Sequence, residues 1–449
     1  MKKIFDDPII QDIFCDYLDH GDQIVICQIC HAKLWKAESI RGQKKGNTSY
    51  SLCCGYGKVE LPSLKEAPPS YQNLGRTTTS TSTSRSYDLQ IIEFLKDMLD
   101  SNNALVKSYR MYPLLFPYGD DGYRVDILHR GISSSSNSKR PTCTMREFFA
   151  YRIQDMDQSF SLILNAKRLF QQFLVDGYTM IESERLFFIR NQQKILRCES
   201  YENLRNQQAL GSTDISNVGQ RVILPSSFTG GARYMMQNYL DAMSLCKWFG
   251  YPDFFITFTC NPKWPEVQRF LKDTSLHPED RPDILCRLFK IKLDAFIKDL
   301  RENEVFGKVQ AVVYTIEFQK RGLPHSHICL FMHADCKLPT VEYIDPIVSA
   351  EIPNIDDDPE LYSLVKEFMI HSPCGAENLN CPCMLDRKCS KNFPKQFCNH
   401  TSVDSNGFPL YRRRDDGHFV EKSGVQLDNR NVVPYNKYLL KRYQAHINV

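Results

Sequence analysis

The stretch Val312–Met332, VVYTIEFQKRGLPHSHICLFM, decides the fold. VVYTIEF is β-branched and aromatic, LPHSHICLFM resumes that pattern, and Lys320, Arg321 and Gly322 lie between them. This spacing predicts a β-hairpin. Side chains alternate faces along a strand, so His325 and His327 point the same way and Ser326 points the other way. Two imidazoles then converge on one point. Glu317 and Gln319 share a face of the preceding strand, and an oxygen from there would complete a mixed nitrogen and oxygen site for a divalent cation. Two histidines beside a turn are equally at home on a plain surface, so the pair alone only nominates a metal site.

Working outward, Asp253–Thr259 (DFFITFT) is a strand, ended by Cys260-Asn261-Pro262 because proline cannot continue a ladder. Ile284–Leu300 has helical periodicity. Strand, helix and hairpin together make an α+β domain whose sheet carries the histidines. Upstream, the segment from Met145 to Leu196 is helical in pattern, with Leu169, Phe170, Phe173, Leu174, Tyr178 and Ile181 spaced to line one face. The run Ser226–Arg233 supplies caps and two glycines before the apolar helix YMMQNYLDAMSLCKWF, whose start suits a phosphate or is simply an ordinary cap.

The chain has 17 cysteines, too many to ignore in a compartment where disulfides are rare. Cys27 and Cys30 pair with Cys53 and Cys54 to give the count of a tetrahedral zinc site, with His31 as a spare ligand. A second group holds His371, Cys374, Cys381, Cys383 and Cys389, with Cys398 and His400 beyond. Arg387, Lys388, Lys391 and Lys395 are interleaved there with Phe393 and Phe397, and Arg412, Arg413 and Arg414 follow Tyr411. Cations beside aromatics suit phosphates and stacked bases, which makes this the local nucleic-acid patch.

Length bounds the rest: 449 residues accommodate about three domains. A formal net charge of +3 gives no global basicity to announce a nucleic-acid partner. The opening MKKIFDDPIIQDIF is neither a signal peptide nor a membrane span, so an intracellular protein is expected. Ser63–Ser86 and Ser133–Lys139 are polar, low-complexity runs expected to be linkers. No G-x-x-x-x-G-K-[ST] occurs, so no ATP-driven motor is encoded.

Several stretches together resemble the Helitron transposases of eukaryotic rolling-circle transposons, in their N-terminal zinc-finger and replication-initiator-like region. They are CQIC with SLCCGYGKVELP, YPLLFPYGDDGY, AKRLFQQFLVDGYTMIE, PSSFTGGARYMMQNYLDAM, FFITFTCNPKWPE, YTIEFQKRGLPHSH, and HSPCG, CPCM and KCSKNFPKQF leading to VVPYNKYLLKRYQAHINV. The resemblance implies an HUH-type antiparallel sheet flanked by helices, with small zinc modules and a disordered linker. It divides the chain into a zinc-finger-like module (1–61), a linker with a partial family segment (62–140), the HUH core (141–340) and a Cys/His-rich basic segment (341–449). It also implies that His325 and His327, with Glu317 or Gln319, hold Mg²⁺ or Mn²⁺, and that Asn261 shapes the site. In such proteins the ion polarises a scissile phosphate while a tyrosine attacks to give a 5′-phosphotyrosyl link.

Three departures follow. Ser326 stands where the family has a hydrophobe. The resemblance places the paired tyrosines beyond Val449, leaving Tyr438 and Tyr443 as the nearest nucleophile candidates alongside Tyr435. The segment Leu105–Met111 joins two family-like pieces abruptly. The expectation is therefore a truncated, nuclear Helitron-type protein that binds single-stranded DNA, a divalent metal and zinc. The alternative is a non-catalytic, zinc-braced DNA-binding or interaction protein derived from a transposon.

Overall fold

The computed structural model describes residues 16–39, 50–65, 112, 114–118, 122–132, 140–193, 222–320, 322–337, 341–405 and 407–449. The two polar runs beyond Lys65, and the join at Leu105–Met111, lie outside them. The chain forms two compact units, His20–Leu240 with Glu266–Asp283, and Met1–Asp19 with Asp241–Pro265 and Ile284–Val449. Helices and antiparallel ladders make up the described residues, so the class is α+β.

In the first unit the helical pattern after Met145 breaks into two helices, α1 (Met145–Arg152) and α2 (Arg168–Asn191). Helix α1 begins at a capping box in which Thr144 and Glu147 satisfy each other's end groups. Phe170 and Phe173 of α2 are buried with Leu115, Ile163 and Leu164. Phe149 meets Phe173 edge to face at 5.5 Å, and its ring lies 3.0 Å from where a Cβ at Gly177 would stand. A side chain at position 177 would therefore press on the Phe149 ring, which would have to give by a few tenths of an ångström. Tyr178, expected on the core face, is 61% exposed. It sits about 100° further round the helix than Gly177, outside the stripe that Phe149 closes.

Helix α3 (Ala232–Phe249) is apolar in sequence yet has no buried residue, and Met235, Met236, Tyr239, Leu240 and Met243 are exposed. Its periodicity established a helix but not a covered face. No described helix is long and apolar enough to cross a membrane.

The second unit is built on a four-stranded antiparallel sheet. Its strands are β1 (Phe254–Thr259), β2 (Val309–Phe318), β3 (Pro324–Met332) and β4 (Ile447–Asn448), in the order β4-β1-β3-β2. Alternation in FFITFT and PHSHICL produces two unlike faces. Phe254, Ile256 and Phe258 lie opposite Leu330, Ile328 and Ser326, and all six are buried. Under this face packs the helix α4 (Pro282–Arg301), whose Leu285, Leu288, Phe289, Phe296 and Leu300 recur at helical spacing. Phe258 stacks on Phe289 at 5.4 Å and on Phe296 at 4.9 Å. Burying each such side chain is worth about 1.5–3 kcal/mol.

Lys292 of α4 is wholly buried, and its ammonium donates to Tyr17 Oη (2.9 Å) and to the Leu18 carbonyl (2.8 Å), which offsets its desolvation. A second core gathers Ile352, Val365, Met369, Val432 and Tyr435 around the hairpin of Phe419–Lys422 and Val425–Asp428. Helix α5 (Lys437–Tyr443), capped by Asn436, leads into β4.

Candidate metal centres

The other face of the sheet carries the histidines. In the register, His325 lies between Thr259 and Glu317, and His327 between Thr257 and Thr315. The two Nε2 atoms are 3.1 Å apart, and Glu317 Oε2 is 3.7 Å from His325 Nε2 and 3.8 Å from His327 Nε2. Both Nδ1 atoms are buried and have no hydrogen-bond partner, so no protein acceptor dictates the tautomer. Ring orientation comes instead from packing: Phe255 stacks on His327 at 5.5 Å.

Ser326 is fully buried on the opposite face and donates to the Thr315 carbonyl at 2.7 Å, so its departure from a hydrophobe leaves the pair untouched. Of the two oxygen candidates, Glu317 reaches the histidines. Gln319 is exposed past the ladder's end, where its N–H closes the turn on Leu323. Asn261 is spent on the backbone: its amide donates to the Gln444 carbonyl (2.7 Å) and its Oδ1 accepts from Lys263 N–H.

The structure does not bring Tyr443 to this face. Its ring packs on Phe258 and Phe296, under the sheet, and its hydroxyl donates to Asp299 Oδ2 at 2.5 Å. Burial, and then the Asp299 carboxylate, push the phenol well above its usual pKa, the wrong direction for a nucleophile. Tyr435 is also buried, with its hydroxyl on the Glu351 carbonyl. Tyr438 is half-buried on the first turn of α5, beside Lys437.

Two Cys/His clusters could hold a metal such as zinc. Cys27, Cys30, Cys53 and Cys54 place four sulfurs within 4.8 Å of one another, beside the short ladder Val25–Ile26 with Lys33–Leu34. His31 stays outside, on an exposed turn. Hydrogen bonds from the Cys30 and Cys53 thiols, aided by the Gly57 N–H, hold the Cys54 thiol far below its usual value. Such a site favours a thiolate, the ligating form.

In the second cluster His371, Cys374, Cys383 and Cys389 share the same 4.8 Å limit. Of the five residues expected there, Cys381 is left out: its Sγ lies 3.4 Å from that of Cys383 but outside the common group. His371 Nε2 is 3.5 Å from Cys389 Sγ, and Phe393 stacks on the imidazole at 4.3 Å. Burial, with Lys395 and Lys422 nearby, lowers the His371 pKa and keeps the ring in its neutral, ligating form.

The basic patch divides. Arg387, Lys388 and Lys391 are exposed, whereas Lys395 is half-buried with its ammonium on the Lys391 carbonyl. Arg413, expected on the nucleic-acid surface, is 4% exposed and donates to backbone carbonyls inside the fold. Arg414 grips Glu351 through both carboxylate oxygens (2.8 and 2.7 Å), and Arg412 lies 3.4 Å from the same group. The three arginines read as a charge run in sequence because the acidic partner of Arg412 and Arg414 is some sixty positions away and Arg413 is held by distant backbone carbonyls.

Burial opposes ionisation of Glu351, but Arg414 and Arg412 prevail and hold its carboxyl below the usual range. A depressed carboxylate contributes stability that is complete above the unfolded value and lost as pH falls through the folded one. Glu351→Gln should therefore lower the urea midpoint at pH 7, with the gap to wild type closing below about pH 4. A gap that persists unchanged into acid would refute the assignment.

Sequence reasoning missed a further grouping, His129, Cys143 and Glu147. A long polar segment separates the first two, and no metal-ligand spacing announces them.

Residues 148–330 match the family model described as the Helitron helicase-like domain at N-terminus. No curated protein matches the chain. The matched span holds α1 from Phe148 onward, α2, α3, α4, β1, β2 and β3 as far as Leu330, including Glu317, His325 and His327. Over that span, the chain is similar to the Helitron helicase-like domain.

Proposed function

We propose that the open face of the sheet is an HUH-type centre that binds a divalent cation and single-stranded DNA, serving the nicking and strand-transfer chemistry of rolling-circle transposition. The carrying observation is the convergence of two Nε2 atoms and one carboxylate on a single point of a sheet face, flanked by Thr257, Thr259 and Thr315. His325, His327 and Glu317 would hold the ion. Nitrogen and carboxylate donors suit Mn²⁺ or Mg²⁺, which when bound supplies Lewis acidity to a phosphate oxygen. Phe255, 54% exposed beside His327, offers a surface on which a base can stack. Arg387, Lys388 and Lys391 offer phosphate contacts. Zinc in the two Cys/His clusters would brace the flanking modules, and a DNA substrate of this kind places the protein in the nucleus.

One observation favours a second reading, DNA binding without strand transfer: Tyr443 is sealed beneath the sheet. Mn²⁺ titration of wild type and of the His325→Ala/His327→Ala variant tests the centre. Binding should weaken at least tenfold, about 1.4 kcal/mol; equal affinity would sink the assignment. Incubating the protein with Mn²⁺ and single-stranded DNA separates the two readings, because strand transfer leaves a covalent protein–DNA adduct and binding alone leaves none.

A further inference from the structure

We propose that His129, Cys143 and Glu147 form a third sulfur-bearing metal site at the start of α1, taking zinc or another thiophilic divalent cation.

The backbone sets it up. Leu128 and Thr142 form an antiparallel bridge, flanked by His129 N–H to Pro141 O (2.8 Å) and Cys143 N–H to Ile127 O (2.7 Å). Alternation about that bridge puts His129 and Cys143 on the same side. Glu147 lies on the first turn of α1, where Thr144 N–H and Oγ both donate to its Oε2 at 2.8 Å and aim the carboxylate. The three candidate ligand atoms fall within 4.8 Å of one another, and His129 and Cys143 are 6% and 1% exposed.

The hydrogen bonds of His129 point to a cation. Its Nδ1 lies 3.2 Å from the Arg140 carbonyl, which can only accept, so Nδ1 carries the proton. Nε2 then faces Glu147 Oε2 at 3.3 Å, and in the neutral ring that sets one lone pair against another. A cation held between them removes the conflict. A second proton on the ring would also do so and would leave the Cys143 thiol donating to the Thr144 carbonyl at 3.4 Å; a metal instead draws the sulfur into the same group as the ring and the carboxylate. An Nδ1–H bonded to a backbone carbonyl with Nε2 presented is the usual arrangement of a ligating histidine. One thiolate, one imidazole and one carboxylate match the preferences of zinc and leave a fourth position for water.

The test uses the full chain reconstituted with ¹¹³Cd. Wild type should show a resonance in the one-sulfur region, apart from those of the four-sulfur and three-sulfur clusters. Cys143→Val, which keeps the buried volume nearly constant, should remove that resonance and one equivalent of metal while leaving the others. His129→Gln should do the same. A wild-type spectrum without a one-sulfur resonance, or a Cys143→Val protein that keeps the full metal count, would overturn the proposal. The wild-type spectrum and Cys143→Val decide the matter even if His129→Gln fails to fold.

Discussion

We propose that Cys27, Cys30, Cys53 and Cys54 hold zinc, and chelation at that site is expected to unfold the segment around the Val25–Leu34 ladder. The two strands are two residues each. Of the five buried residues in their core, Cys53 and Cys54 are themselves candidate ligands, leaving Ala32, Leu34 and Tyr50, with Val25, Tyr151 and Met156 packed partly buried against them. Burial of a large apolar side chain contributes about 1.5–3 kcal/mol, while ordering each residue costs about 1.5 kcal/mol. So small a core cannot order this segment unaided. A structural zinc supplies an apparent 10–16 kcal/mol, roughly, and can. Limited trypsin digestion is the measurement, since Lys33 and Lys36 lie within the knot. Removing zinc, or replacing Cys53 with serine, should speed cleavage there by orders of magnitude, and zinc should restore protection only to wild type. Unchanged cleavage in metal-free protein would show that the cysteines are ordinary core residues.

The second large effect is expected at Arg413. Its Nη1 lies 2.6 Å from the Asn429 carbonyl, 2.7 Å from that of Val432 and 3.3 Å from that of Ala350, while its own backbone bonds both ways with Cys398. Burial lowers the guanidinium pKa to about 10, so the group remains charged at neutral pH. Arg413→Ala would strand those carbonyls and open a cavity, at a cost of about 3–5 kcal/mol. At a slope of about 2 kcal/mol per molar urea, the midpoint of the unit that carries it should fall by about 2 M. Arg412→Ala, at a more exposed position, should cost about 1 kcal/mol or less. Comparable losses from the two substitutions would contradict the burial argument.

The contrast between neighbouring arginines shows where sequence reasoning stops. Arg412, Arg413 and Arg414 look equivalent in sequence, and a run of cations beside Tyr411 reads as a phosphate surface. Whether a side chain enters the core depends on what stands opposite it, and Glu351 and Asn429 come from other parts of the chain. Tyr443 is a similar case. Its spacing in KYLLKRY marked an amphipathic helix, but only the packing of α5 beneath Phe258 puts its hydroxyl on Asp299 and away from the histidines. Helix α3 errs in the other direction, being apolar in sequence and without a buried residue among the described ones.

The hairpin was legible because its information is local. Alternation in VVYTIEF and PHSHICLFM is a property of a few adjacent residues, and it alone determined that His325 and His327 share a face and Ser326 does not. The pairing of Cys27 and Cys30, with two residues between them on a turn, was determined in the same way, as was the α+β class that follows from alternating strand and helix periods. Tertiary structure decided everything that depends on register and on partners distant in sequence. It put Glu317 rather than Gln319 beside the histidines, grouped four of the five expected cysteine and histidine donors, and brought His129, Cys143 and Glu147 together. The physical reason is range: backbone alternation acts over a few residues, whereas a ligand shell or a buried charge is completed by whichever side chains the fold brings within a few ångströms.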